Sequence, residues 1–418
     1  MLRDVTDGYV RRLLDDELAE AFRSHPAVLI VGPRASGKTT TARRHAKTIV
    51  RLDRPAESAA FRADADAALA VLDEPVLLDE WQAVPEVLAA VKRAVDDDGR
   101  PGRFLLTGSV RADLDAEMWP GTGRVIRLSM FGLTEREIRG ATASPGPLEL
   151  LERGDALRQP DLTTAPDLPG YLDLALRGGF PEPALRLDAA ARVRWYESYL
   201  DQVLTRDAAE LSTRDPAKLA RYFEALALNS AGLVADTTVY EAADVNRKTA
   251  DAYDRLLANL FVADTVPAWL TNRLGRLVKS SKRYILDPAL IGASIRLDTP
   301  GIMRDGGLMG RMLDTFVAAQ LRPEVAASSM RPRLFHLREK NGRREVDLLA
   351  ELGGDRVIAF EVKATAAPSR SDGAHLEWLR DQLGDRFLAG VVLHTGASLF
   401  PLGDRVTAAP IASLWAEG

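Results

Sequence analysis

Ala27-Val-Leu-Ile-Val-Gly32-Pro-Arg-Ala-Ser-Gly37-Lys38-Thr39-Thr40 is an apolar run that ends in a glycine-containing turn and a lysine–threonine pair. The spacing from Gly32 to Thr39 is that of a phosphate-binding P-loop, with a strand before it and a helix able to begin at Thr40. Glycines let backbone N–H groups converge on phosphate oxygens, and the helix start adds partial positive charge. The expected ATP contacts are Gly32, Pro33, Arg34, Ala35, Ser36, Gly37, Lys38, Thr39 and Thr40. Lys38 should reach the β- and γ-phosphates, and the Thr39 hydroxyl should bind Mg2+.

Working outward, Val76-Leu-Leu-Asp79-Glu80 is a second apolar strand that delivers two carboxylates at its C-terminal end, where open parallel sheets bind ligands. Asp79 is the expected Mg2+ partner, and Glu80 the base that polarises water for attack on the γ-phosphate. Phe104-Leu-Leu-Thr107-Gly-Ser109 is a third such strand. Ser109 either senses the γ-phosphate or caps a following helix. Arg111 and Arg124 follow as candidates to neutralise transition-state charge, in cis or from a neighbouring subunit; a surface role is the alternative for each. Apolar runs at Ile49–Leu52 and Val125–Leu128, with a helical pattern at 84–95 among them, predict a parallel sheet covered on both faces.

The 418 residues predict more than one domain. A net charge of −5 argues against a uniformly basic nucleic-acid coat but leaves room for a local basic surface. The chain has no cysteine, which excludes disulfides and thiolate metal sites. The five histidines are scattered without metal-ligand spacing and read as surface or core residues. No apolar run has the length of a membrane span, and the first residues lack an apolar signal core, so a cytoplasmic location and no membrane contact are expected.

Breaks in the pattern place boundaries near 140 and 300. The expected order is an ATPase domain at 1–140, a linker with a helical and winged-helix-like region at 141–300, and an α/β domain at 301–418. Helices at 218–231, 235–243 and from 246 onward, followed by the extended Phe261–Leu270, fit a winged helix whose third helix begins at Asn246-Arg247-Lys248. Arg273, Arg276, Lys279, Lys282 and Arg283 add local positive charge without an acid. DNA is therefore an expected partner, with a protein-interaction role as the alternative.

The P-loop, Leu77-Leu-Asp-Glu-Trp81, Leu105-Leu-Thr-Gly-Ser109 and Gly121-Thr-Gly-Arg124 together resemble a bacterial and archaeal branch of the AAA+ ATPases. Gly178-Gly-Phe-Pro-Glu182 and Arg206-Asp207 resemble the start of the uncharacterised C-terminal region that accompanies that ATPase. The resemblance implies that Arg124 is an arginine finger and that the chain forms a homo-oligomer.

In the last region Asp347 precedes a turn, and Glu361-Val-Lys363 lies on the strand after it. Side chains alternate along a strand, so Glu361 and Lys363 share a face. The order helix (308–322), strands (333–337, 344–351, 356–362), helix (372–383) and strand (387–393) resembles restriction-endonuclease-like folds. That resemblance implies Mg2+ on Asp347, Glu361 and the helix acid Asp314, with Lys363 offsetting developing charge during phosphodiester cleavage. The similar pattern more often has Glu where Asp314 stands. The alternative is a nucleotide-controlled interaction or scaffold protein with an inactive nuclease-like domain.

Overall fold

The computed structural model describes residues 8–110, 123–208, 215–232, 236–270, 280–339 and 343–417. Arg111, Arg273, Arg276 and Lys279 lie outside the described residues. The chain forms two compact units, Met1–Gly132 with Asn259–Phe261, and Leu133–Ala258 with Val262–Gly418.

The first unit is built on five parallel strands: β1 (Ala27–Val31), β2 (Thr48–Arg51), β3 (Val76–Asp79), β4 (Phe104–Gly108) and β5 (Val125–Ser129). Their spatial order is β2-β3-β4-β1-β5. Strands β1, β3 and β4 are buried along their whole length, as continuous apolar runs require. Leu14, Leu18 and Ala21 recur at helical spacing in Leu14–Ser24, and this face packs on Val28, Ile30, Leu105 and Leu128. Because β4 lies between β1 and β3, the acid-bearing strand and the P-loop strand are not direct neighbours in the sheet.

The second unit contains a helical part and a mixed sheet. Helices Pro216–Leu228, Asp236–Ala242 and Arg247–Asn259 precede β6 (Ala263–Val266) and β7 (Lys282–Ile285), which pair antiparallel. The sheet comprises β8 (Arg333–Arg338), β9 (Glu345–Glu351), β10 (Val357–Lys363), β11 (Phe387–His394), β12 (Phe400–Gly403) and β13 (Val406–Pro410). Its order is β12-β13-β11-β10-β9-β8. Phe335, Leu349, Phe387 and Val392 share one core with Leu376, Leu379 and Leu383 of the helix Ala374–Leu383.

The segment just after Gly132 belongs to this unit because it is bonded to the long helix Gly306–Ala327. The Glu135 amide donates to Gln320 Oε1 at 2.7 Å, and buried Arg136 pairs with Glu324 at 2.9 Å. The linker expected from residue 141 onward contains the short helix Pro147–Glu152, with Pro147 in its first turn.

His336 on β8 is buried, and its Nε2 lies 3.1 Å from the Ser280 carbonyl, which calls for the Nε2–H tautomer. Burial lowers its pKa from 6.5 to about 4, against the pull of that hydrogen bond. The folded pKa lies below the unfolded one, so the stabilisation is complete above about 6.5 and is lost as pH falls toward 4. Between pH 7 and 5 this single group should withdraw about 2 kcal/mol of stability. His336→Gln should flatten that part of the pH–stability curve, measured by urea unfolding at each pH; an unchanged slope would assign the acid sensitivity elsewhere.

Candidate functional site

The turn after β1 has the geometry its glycines require. Gly37 has φ 97°, in the left-handed region. A Cβ on Gly32 would lie 2.0 Å from the Met130 carbonyl oxygen, so the loop's first residue has room only for hydrogen. Lys38 opens the helix Lys38–Ala42 and is buried. Its ammonium folds back onto the loop and donates to the Gly32 and Pro33 carbonyls at 2.9 and 2.8 Å. Burial lowers it to about 8, with Glu80 and Asp79 acting in the opposite direction, so it stays mostly protonated at neutral pH. The Ser36 hydroxyl is buried and has no hydrogen-bond partner among the described residues.

The two carboxylates of β3 are held differently. Asp79 is buried, and its Oδ1 accepts from Thr39 at 2.7 Å and from Thr107 at 2.5 Å. Glu80 turns out of the strand with φ 55°, unusual for a residue with a side chain. Its amide donates to Thr107 Oγ1 at 3.3 Å. Its Oε2 accepts from Ser109 at 3.1 Å and from Gln82 Nε2, which also donates to Ser109 at 3.0 Å. Strand order thus brings Lys38, Thr39, Asp79, Glu80 and Ser109 to one edge of the sheet.

Arg12 was not singled out by the sequence. Its guanidinium donates to the Ser36 carbonyl at 2.9 Å and to the Phe131 and Gly132 carbonyls at 2.7 and 3.2 Å. No motif marks it; only a cation just ahead of an amphipathic helix was there to be seen. Arg124 lies on the surface, 46% exposed, with Nε 2.8 Å from Asp96 Oδ1.

Residues 24–139 match a family described as AAA domain. The parallel five-strand sheet of the first unit is consistent with a P-loop domain. Residues 169–301 and 309–414 match two further families, each described as a domain of unknown function. Uncharacterized proteins of Mycobacterium bovis and Mycobacterium tuberculosis are each 29% identical over 414 residues, spanning 98% of this chain and 85% of theirs. A Walker-type ATPase of Pyrococcus abyssi is similar at 14% identity and TM-score 0.39, over 70% of this chain and 97% of that one. No helix among the described residues is long and apolar enough to cross a membrane.

The second unit gathers the other charged residues expected to act. Asp347 on β9 accepts the Val362 amide at 3.0 Å through Oδ2. Lys363 Nζ lies 3.2 Å from Glu361 Oε2 on the same face of β10. Glu361 is buried, and burial raises its pKa, with Asp347 adding to the effect. His375 Nδ1 stands 3.6 Å from Glu361 Oε1, so one of the scattered histidines joins the cluster through the fold.

Lys282 changes the expected arrangement. It was counted with the solvated cations, yet it is 1% exposed. Its ammonium lies 2.5 Å from Asp314 Oδ2 and 3.2 Å from Asp347 Oδ1. Burial alone would lower its pKa, but the two carboxylates outweigh burial and hold it well above its ordinary value. Among the described residues no group of three His, Cys, Asp or Glu is placed to hold a metal. Arg283 likewise pairs with Asp254 at 3.1 Å, so neither cation of β7 adds free positive charge. Asn246 caps its helix by accepting the Thr249 amide at 2.9 Å, while Arg247 and Lys248 are exposed.

Proposed function

We propose that this chain binds ATP at Gly32–Thr40 and hydrolyses it. The observation that carries the reading is Glu80, aimed by its own backbone turn and by Ser109 and Gln82, beside a P-loop whose Thr39 already meets Asp79. In this reading Lys38 leaves the loop carbonyls for the phosphates, and backbone N–H groups of Ala35 to Thr40 surround them. Thr39 and Asp79 would hold Mg2+, which draws charge from the phosphate oxygens when bound. Oxygen donors are what that ion takes, and the unpartnered Ser36 hydroxyl supplies a further donor in the loop. Glu80 accepts the proton of the attacking water, and Ser109 holds the carboxylate in line. Phosphate release from ATP by the purified chain, lost on Lys38→Ala, tests the proposal.

Arg124 serves this reaction from a second copy of the chain. Its exposure, in an ion pair with Asp96 that is itself at the surface, leaves the guanidinium available there. Mixing Arg124→Ala with Lys38→Ala should restore part of the turnover that each variant lacks, because mixed interfaces join an intact loop to an intact arginine. Full turnover by Arg124→Ala alone would remove the residue from the reaction.

Contact with duplex DNA is proposed for the helix Arg247–Asn259, on the exposure of Arg247 and Lys248 at its start. Binding measured across salt concentrations tests it, since phosphate contacts release counterions; affinity independent of salt would leave the protein-interaction role.

A further inference from the structure

A nuclease-type centre in the second unit would need a divalent cation against Asp314 and Asp347. We propose that Lys282 is the resident cation of this acidic cluster, its ammonium standing where a metal would stand, so that the cluster is complete without one.

The geometry is specific. All four oxygens of the two aspartates are engaged: Asp314 Oδ2 and Asp347 Oδ1 with Lys282, Asp314 Oδ1 with the Tyr284 hydroxyl at 3.1 Å, and Asp347 Oδ2 with the Val362 amide. Mg2+ demands carboxylate oxygens close around it in near-octahedral order and keeps several waters. An ammonium with three donors asks only for acceptors at hydrogen-bond distance. The pair is also deeply placed, since Lys282, Asp314 and Tyr284 are all buried. A divalent ion entering here would have to displace the ammonium from its hydrogen bonds or sit beside it, and like charges side by side are electrostatically unfavourable. The remaining member, Glu361, keeps Oε1 buried, 3.6 Å from His375 Nδ1 and without a hydrogen bond among the described residues. The acids are those the nuclease-like resemblance assigns to a metal, but the residue from β7 takes the cation's place.

The same arrangement fixes β7 to the sheet. Lys282 comes from the hairpin, Asp314 from the long helix and Asp347 from β9, so one ammonium joins three elements. Removing only the lysine leaves buried Asp314 and partly buried Asp347 without the cation between them, a situation that a metal relieves.

The test uses the full chain and Mn2+ as the probe, followed by electron paramagnetic resonance without nucleotide. Asp347→Asn serves as the control that separates this cluster from the P-loop. The wild-type chain should show no Mn2+ binding sensitive to Asp347→Asn. Lys282→Met should gain a saturable site that Asp347→Asn removes. Wild-type binding abolished by Asp347→Asn would overturn the proposal, as would a folded Lys282→Met that gains none. Should Lys282→Met not fold, the wild-type comparison decides alone, and thermal unfolding with and without EDTA repeats it: a shift that Asp347→Asn abolishes counts against a resident lysine.

Discussion

Glu80→Gln should bind ATP as tightly as the wild-type chain and turn it over about 10²–10⁴-fold more slowly, the range associated with loss of a positioned general base. The amide matches the carboxylate in size, so the turn at Glu80 and the neighbouring Lys38 are left intact. It also keeps an oxygen able to accept from Ser109 and Gln82. What it cannot do is take a proton from water. Lys38→Ala should fail at the earlier step. Its ammonium makes two bonds to loop carbonyls in this structure, and in the proposed reaction charged hydrogen bonds to phosphate would replace them. Losing that exchange weakens ATP by about 10–100-fold, the equivalent of roughly 1.5–3 kcal/mol. Equilibrium binding of a fluorescent ATP analogue and phosphate release, measured on both variants, separate the two effects. Normal turnover in Glu80→Gln would leave another residue as base.

Gly178→Ala should be among the most destabilising single substitutions in the second unit. Gly178 ends the helix Leu168–Arg177 with φ 68° and ψ −173°, a conformation open essentially to glycine alone. A Cβ there would lie 2.0 Å from the Tyr196 hydroxyl and 2.6 Å from Asp287 Oδ1. Both neighbours are committed: Tyr196 donates to the Arg177 carbonyl at 3.0 Å, and Asp287 accepts the Gly179 and Ala289 amides at 2.9 and 3.0 Å. Backbone strain and overpacking together should remove about 2–6 kcal/mol. Adding Tyr196→Phe removes the nearest atom and should recover part of the loss, leaving the backbone strain. Denaturant unfolding of the single and double variants measures both parts; a Gly178→Ala chain as stable as the wild type would contradict the crowding seen here.

This glycine also shows what the sequence could and could not disclose. Gly178-Gly-Phe-Pro-Glu182 was visible as a pattern, but its physical cause lies in Tyr196 and Asp287, which no local reading connects to it. The strands of the first unit were legible because each is an apolar run bounded by polar or turn residues, and Ala27–Val31 lies where its pattern places it. Asp79 and Glu80 were legible for the same reason, as acids at a strand end. Strands β12 and β13 were not, since Phe400–Gly403 is short and carries both proline and glycine. Thr107 stood within a recognised run, yet its bond to Asp79 depends on β4 lying between β3 and β1, an order the chain sequence does not display. Lys282 was the largest misreading. It sits among arginines and lysines, and its partners lie 32 and 65 residues further along the chain. Local charge counting assigns such a residue to solvent, whereas tertiary packing has buried it.

Arg12 gives the nucleotide loop a mechanical connection. One planar fork grips the tip of the loop at Ser36 and the chain at Phe131 and Gly132. Gly132 is also where the first unit hands over to Leu133. A load carried along the backbone past that point therefore reaches the loop through the Arg12 side chain as well as through the Met130 amide, which donates to the Val31 carbonyl at 2.8 Å. Conversely, a shift of Ser36 is passed to the outgoing polypeptide, which makes Arg12 a tether between the loop proposed to hold phosphate and the place where the first unit ends.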